Sequence, residues 1–423
     1  MTPPTPVHAA EVPARTLRVA LSFAISLFFI WGLAYGLLDV LNKHFQDTLH
    51  VGTAQSTWLQ IAYFGAYLLI SLPAGMWLAR AGYKIGIMTG LCVTALGAFL
   101  FIPAAAAGTF LPFVLSMFVL ASGLACLETA ADSYVAVLGP PEGASRRLNL
   151  AQSFNGLGTF IGPLVGGTLF FAGGHGPSGA GAHDNVRLIY AGIGLAIVIF
   201  AFFVGRAHLP EISEDSHAVE GGSADHILRR RHFVLGVVTQ AIYIGAQVGI
   251  GALFINVAIT TWTGLTAQGA AYLLSLSLAL YMLGRFTSTA LLARIRPRTL
   301  LTSFALINVA LSLVVALGVN RVSLVAMIGV FFFMSTMFPT IFALGVRDLG
   351  KGTKRGASAM VMAIGGGVVL PYPMGRIAEL HGAPAAFLLP AGAFLIVALY
   401  GAIFAATEEE RGARARGKRS ARG

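Results

Sequence analysis

The chain has 423 residues, 56% of them hydrophobic and only 11% charged, with a mean hydropathy of +0.78. That balance excludes a water-soluble domain of this length, so the solvent of the fold is lipid. The formal net charge of +11 suggests nucleic acid as a partner, but the basic residues fall in alternate loops rather than in one patch, and no nucleic acid is expected.

The N-terminal leader carries Arg15 and Arg18 ahead of an apolar run too long for a signal-peptide core and without a clear cleavage site, which reads as an uncleaved first helix. Apolar runs long enough for lipid then recur over 19–46, 56–81, 84–104, 109–138, 146–172 and 187–206. Six more follow over 232–262, 267–293, 299–318, 322–348, 355–380 and 384–406. The expected fold class is an all-α membrane protein of twelve transmembrane helices. Cys92 and Cys126 both lie inside apolar segments, where thiols serve as small packing residues rather than as a disulfide framework.

Lysine and arginine set the orientation. One series of loops holds Arg80 and Lys84, Arg146 and Arg147, Arg206 with Arg229 to Arg231, Arg294 to Arg298, and Arg347 to Arg355; the other holds little beyond Lys43, Arg187, Arg321 and Arg376. By the positive-inside rule both termini are cytoplasmic, as an even number of spans requires. The polar stretch 207–231 reads as a cytoplasmic linker between a six-helix half at 1–206 and a second at 232–406. Residues 407–423, rich in Arg and Gly, read as a disordered basic cytoplasmic tail drawn to anionic lipid. Leu78-Ala79-Arg80 with Lys84 is echoed by Leu292-Ala293-Arg294 with Arg298, Leu138-Gly139 by Leu349-Gly350, and Arg146-Arg147 by Lys354-Arg355. The near-constant offset is what a duplicated half gives.

Of the 17 acids only Asp39, Glu128 and Asp132 lie well within a span. Placing a carboxylate in hydrocarbon costs at least about 2.5–3.5 kcal/mol, so such groups face a cavity or a partner. Tyr35, Asp39 and Asn42 share one face of the first span. The bland alternative for Asp39 is a snorkelling carboxylate or one locked to Lys43. Glu128 and Asp132 stand one turn apart on the fourth span. Two carboxylates so placed repel when both are charged, so one tends to hold a proton; equally, Asp132 reads as a helix-end residue.

Asn149, Gln152 and Asn155 on the fifth span, and Gln240 and Gln247 on the seventh, are amides in lipid, which often only join helices. Clustered near acids, they suit a polyhydroxyl ligand, because each both donates and accepts. Trp31, Tyr35, Tyr243 and Trp262 offer faces for a sugar, though core or interfacial packing is the commoner use of such residues. The segment Gly158 to Gly167 looks like the antiporter motif of drug exporters, but close helix packing is the preferred reading. Gly365 to Gly367 reads equally as packing or hinge, with no phosphate-loop context. No nucleophile with a paired base, metal-ligand spacing or nucleotide fingerprint emerges, so neither an enzyme nor a bound cofactor is expected.

Several stretches resemble the fucose–galactose–glucose:proton symporter family of the major facilitator superfamily. They are Phe29-Ile-Trp-Gly32 through Asp39, Ser71-Leu-Pro-Ala-Gly75, Gly82-Tyr-Lys84, Cys126-Leu-Glu128-Thr-Ala-Ala131, Arg147-Leu-Asn-Leu-Ala-Gln152-Ser-Phe-Asn155 and Phe338-Pro-Thr-Ile-Phe-Ala-Leu-Gly345. The resemblance implies a major facilitator fold with alternating access, proton coupling at Asp39 and Glu128, and Gln152 and Asn155 at a central cavity. It also weakens the exporter reading of Gly158 to Gly167. The chain departs from the family where Leu37-Leu38-Asp39 replaces Leu-Asn-Asp and where Ala130-Ala131-Asp132-Ser133 replaces Ala-Ala-Asn-Pro, which adds a carboxylate beside Glu128.

The resulting expectation is a multi-pass protein of the bacterial inner membrane, working as a monomer in contact with membrane lipid. It takes up a small sugar, a hexose, with protons as the coupling ion. Protons act on Asp39 and Glu128, and the sugar is held by Glu128, Gln152, Asn155 and Gln247 with Trp31, Tyr35, Asn42 and Asp132. The rivals are a facilitator without proton coupling and a proton-driven multidrug exporter; a membrane sugar sensor would need a signalling domain that is not visible in the sequence.

Overall fold

A computed structural model describes residues 13–138, 144–171, 182–207, 209–210, 230–292, 294–346 and 353–404. Twelve helical spans in it are long and apolar enough to cross a membrane. We number them α1 (Ala14–Thr48), α2 (Trp58–Ala81), α3 (Tyr83–Ala107), α4 (Phe110–Val137), α5 (Ala144–Phe171) and α6 (Ala182–Arg206) in the first half. The second half has α7 (Arg231–Thr261), α8 (Ala267–Leu292), α9 (Pro297–Ala316), α10 (Asn320–Met334 with Met337–Val346), α11 (Thr353–Met362 with Pro371–His381) and α12 (Leu388–Leu399). The leader before Pro13, most of the linker, the basic turn from Arg347 to Lys351 and the tail lie outside the described residues.

Because consecutive spans alternate in direction, one face of the bundle gathers the start of α1, Arg80, Lys84, Arg147, Arg206, Arg231 and Arg294 to Arg298. We call this the basic face, and the other the sparse face. At the basic face Lys84 Nζ donates to the carbonyls of Gly205 at 2.9 Å and Ala207 at 2.8 Å, closing the C-terminal end of α6 with a cation.

The halves are built by close helix packing at glycine. Along α1 and α5, a Cβ on Gly36 would come within 3.1 Å of Gly162 Cα, and one on Gly158 within 2.7 Å of Leu33 N. Only glycine lets these backbones approach so far, and in lipid such packing is a main source of helix association. The glycines of the Gly158 to Gly167 segment thus serve helix packing.

Two spans are interrupted where the sequence predicts continuous helix. The break in α10 at Ser335 and Thr336 leaves the Met334 carbonyl free of the helix ladder, and the Tyr243 hydroxyl donates to it at 2.8 Å. Thr336 is joined there to Ser288 of α8. The break in α11 is a 3₁₀ segment, Ala363–Val368, carrying the glycine triplet. Cβ atoms on Gly365 and Gly367 would lie 2.9 Å from Leu68 Cβ and 2.6 Å from Phe64 Cγ, both on α2 of the other half. The triplet is therefore a packing surface between the halves at a break in the helix.

The halves meet on the sparse side. Asn42 Nδ2 donates to the Ala252 carbonyl at 2.8 Å, Asn256 Nδ2 to Gln46 Oε1 at 2.6 Å, and Ala54 N to Glu379 Oε1 at 2.9 Å. The Ser275 hydroxyl donates to the Phe160 carbonyl at 3.0 Å, tying α8 to α5.

Candidate functional site

The polar residues of the bundle interior form layers that descend from this seam. Asn42, fully buried, gives its amide N–H to α7 and lies within the seam itself. One turn deeper, Asp39 is 8% exposed, and among the described residues the hydrogen bond to its carboxylate is a long one, 3.4 Å from Gln60 Nε2 of α2. Its carboxylate lies against the backbone of Gly251 on α7, where a Cβ would come within 3.1 Å of Asp39 Cγ. Lys43 bonds Asp47 at 2.6 Å instead, so the lysine-locked alternative for Asp39 does not hold. No cation among the described residues pairs with Asp39.

Another turn down, Tyr35 faces Gln247 and Tyr281 of the second half across the seam. Its ring lies 5.8 Å from that of Tyr63. The Trp31 indole N–H donates to the Tyr63 hydroxyl at 3.2 Å, and the Tyr63 and Tyr67 hydroxyls lie 3.5 Å apart. The Tyr67 hydroxyl in turn stands against the Glu128 carboxylate. This run of hydroxyls connects the level of Asp39 to Glu128, which at 1.5 Å per residue lies roughly 10–15 Å closer to the basic face. Asp132 follows one turn below Glu128 on α4. Among the described residues, Glu128 Oε2 and Asp132 Oδ1 are both buried without a hydrogen-bond partner, as is Gln247 Oε1. Buried acceptors left in that condition cost about 1–3 kcal/mol each, more when charged, so the site is built to receive donors or protons.

Asn155 donates to the Phe28 carbonyl of α1 at 3.2 Å, holding α5 in place, and Gln152 is half-buried one turn nearer the basic face. Tyr243 is buried and spent on the α10 break, and Trp262 stacks under the Arg321 guanidinium at 4.6 Å. Tyr243 also stands against Tyr281, Arg285 and Tyr35 of the central cluster, whereas Trp262 lies apart from it. Asn149 has no described side chain.

Five residues not selected from the sequence sit among those that were: Gln60, Tyr63, Tyr67, Tyr281 and Arg285. Arg285 of α8 lies over the Tyr281 ring at 4.8 Å and donates to its hydroxyl at 3.2 Å. A cation inside a span is as costly as an acid there, and that rule, applied to bases, would have found it. Among the described residues no three His, Cys, Asp or Glu side chains come together to hold a metal ion.

Asp39, Glu128 and Asp132 come from the first half and Gln247, Tyr281 and Arg285 from the second, and the two sets meet at Tyr35 in the interior between them. The model of the Major Facilitator Superfamily matches residues 21–370. The chain belongs to that superfamily, within its fucose–galactose–glucose:proton symporter branch. It is 35% identical over 409 residues to the L-fucose-proton symporter of Escherichia coli K12, covering 92% of this chain and 93% of that one. To the glucose/galactose transporter of Brucella abortus strain 2308 it is 34% identical over 399 residues, covering 94% and 97%. A crystal structure of a variant E. coli fucose:proton symporter superposes with a TM-score of 0.67 at 34% identity, over 93% of this chain and all of that one. The nucleoside transporter of known structure, at 14% identity and a TM-score of 0.70 over 92% and 100%, shares the fold. The protein is accordingly a multi-pass transporter of the bacterial inner membrane and not an enzyme.

Proposed function

We propose that this protein takes up a small sugar, a hexose, together with protons by alternating access, with the basic face in the cytoplasm. The names of the relatives that span nearly the whole chain support the sugar and the proton. The observation that carries the mechanism is Asp39: a buried carboxylate with which no described cation pairs, held where the two halves close on each other. Sealing a charged carboxylate into that seam costs several kcal/mol, whereas sealing a protonated one costs far less. Closure of the sparse side therefore favours a protonated Asp39, and a proton taken from outside becomes a condition of the transition.

The sugar sits below Asp39, between Tyr35 and Trp31 on one wall and Gln247 on the other. Glu128, Gln152, Asn155 and Asp132 lie toward the basic face. Orphaned acceptors on Glu128, Asp132 and Gln247 match the hydroxyl donors of a sugar. Arg285 and Tyr281 add donors from the second half. Proton and sugar each favour the same state, and coupling of about 1–3 kcal/mol between them is enough to drive accumulation. Glu128 is the second proton-coupling group, reached from Asp39 along Tyr63 and Tyr67. Both walls of the site come from one chain, so the monomer suffices, and its lipid-facing surface needs no partner but the bilayer. The linker 207–231 joins the halves and the basic tail 407–423 lies at the cytoplasmic surface.

Uptake of labelled glucose, galactose, L-fucose, N-acetylglucosamine and sucrose into proteoliposomes tests this. Uphill accumulation of one of them only under an inward proton gradient is expected. Equilibration indifferent to the gradient means a facilitator, and efflux of lipophilic cations without sugar flux means an exporter.

A further inference from the structure

The seam on the sparse face contains one acidic acceptor contributed by the second half and received by the first. Glu379, near the C-terminal end of α11, accepts from the Ala54 backbone N–H at 2.9 Å. Ala54 belongs to the connection between α1 and α2, whose short helical turn Thr53–Ser56 lies across the opposite half. The other Glu379 oxygen accepts from Arg376 Nη1 at 2.7 Å, which fixes the carboxylate on its own helix. Beside it, Gly375 lets the connection settle directly onto α11: a Cβ there would lie 2.9 Å from Ala54 N and 3.0 Å from the Thr53 carbonyl. Ser56 accepts from Gln46 Nε2 at 2.8 Å, and Gln46 accepts from Asn256, so the same connection is tied into the α1–α7 contact.

The carboxylate is not sealed away. Its side chain is 24% exposed and stands on the wall of a cavity of about 570 Å³ shared with Trp58, Phe110 and Tyr372. That cavity is on the sparse face, its wall includes neither Asp39 nor Glu128, and it opens the edge of the contact to the outside. A charge-assisted bond between the halves, reached by water on one side, is a closure that can be undone without unpacking apolar core.

We propose that Glu379 is the latch of the outer gate: its bond to Ala54 N–H holds the sparse face closed, and its loss shifts the resting population toward the state open on that face. The proposal rests on the two-state alternation described above. Glu379 is a positioning residue; it touches neither sugar nor the proton-coupling carboxylates. Asn42 and Gln46 are its neutral companions in the seam, and Arg376 supports it from within α11.

The test is a distance measurement between spin labels at Leu111 of α4 and Leu317 after α9, both exposed on the sparse face and on opposite halves, with Cys92 and Cys126 replaced. Purified protein without sugar should show mainly the short distance. Glu379→Ala should raise the long-distance population about five- to tenfold, the worth of one partly exposed charge-assisted bond. Gly375→Ala, which pushes the connection off α11 without removing the carboxylate, should do the same. Glu379→Gln, which keeps an acceptor oxygen, should shift it less. Superimposable distributions for wild type, Glu379→Ala and Gly375→Ala overturn the proposal. So does a shift in Gly375→Ala alone, since packing and not the carboxylate would then hold the gate. No sugar enters the measurement, so its failure and a failure of the sugar–proton reading are told apart.

Discussion

At the scale of single residues, coupling turns on buried acids that no described cation neutralises. Asp39→Asn mimics the protonated form permanently, so the seam closes without a proton. Uphill accumulation should vanish while exchange of labelled for unlabelled sugar across the vesicle persists, and continued accumulation would remove Asp39 from its role. Glu128→Ala removes an orphaned acceptor from the sugar site and should abolish detectable binding by calorimetry; unchanged affinity would place the sugar elsewhere. Tyr63→Phe leaves the Trp31 indole N–H without its acceptor, which should cost about 1–3 kcal/mol of stability, read as a lowered thermal midpoint in detergent. The carboxylates were legible in the sequence because a lone acid in an apolar run is costly enough to need a reason. Tyr63 and Tyr67 were not, since aromatics at helical spacing read first as core, and only tertiary packing brings their hydroxyls into line with Glu128; Gln60 shows its use only where α2 packs its amide against Asp39. Asn42 shares the face of Asp39 as the spacing requires, yet the structure uses its amide N–H to join α1 to α7.

At the scale of elements, hydropathy gave all twelve spans, because length and apolarity are what the bilayer demands of a helix. It did not give the breaks. Hydropathy does not register Pro339, which has no N–H to give the Ser335 carbonyl, and Tyr243 and Ser288 of other helices bond the groups at the resulting interruption. From sequence the glycine triplet of α11 reads equally as packing or hinge, because its use is decided by Phe64 and Leu68, some 300 positions away. The glycines of α1 and α5 carry a prediction of their own. Gly162→Ala places a methyl within 2.6 Å of the Gly36 carbonyl carbon, and overpacking of that kind typically costs about 1–3 kcal/mol. A lower thermal midpoint together with reduced membrane yield is expected, and wild-type stability would show that the two helices do not pack as described.

At the scale of the whole molecule, orientation and coupling go together, for a proton taken from outside must meet the sparse face first. In a background without Cys92 and Cys126, Leu317→Cys should react with a membrane-impermeant maleimide in intact cells, and Arg206→Cys only after permeabilisation; the reverse pattern would invert the protein. The duplicated basic turns at Arg80 and Arg294 mark equivalent corners of the two halves, which is why the repeat was visible although little else of it survives. The seam between the halves was not visible, because it is made by residues about 210 and 325 positions apart. Coupling is tested most directly by following lumenal pH in proteoliposomes with a trapped indicator while the transported sugar is added outside with no gradient imposed. The account predicts that sugar acidifies the lumen of wild-type vesicles and leaves that of Asp39→Asn vesicles unchanged. Sugar entering wild-type vesicles without acidification, or equal acidification in both, would contradict it.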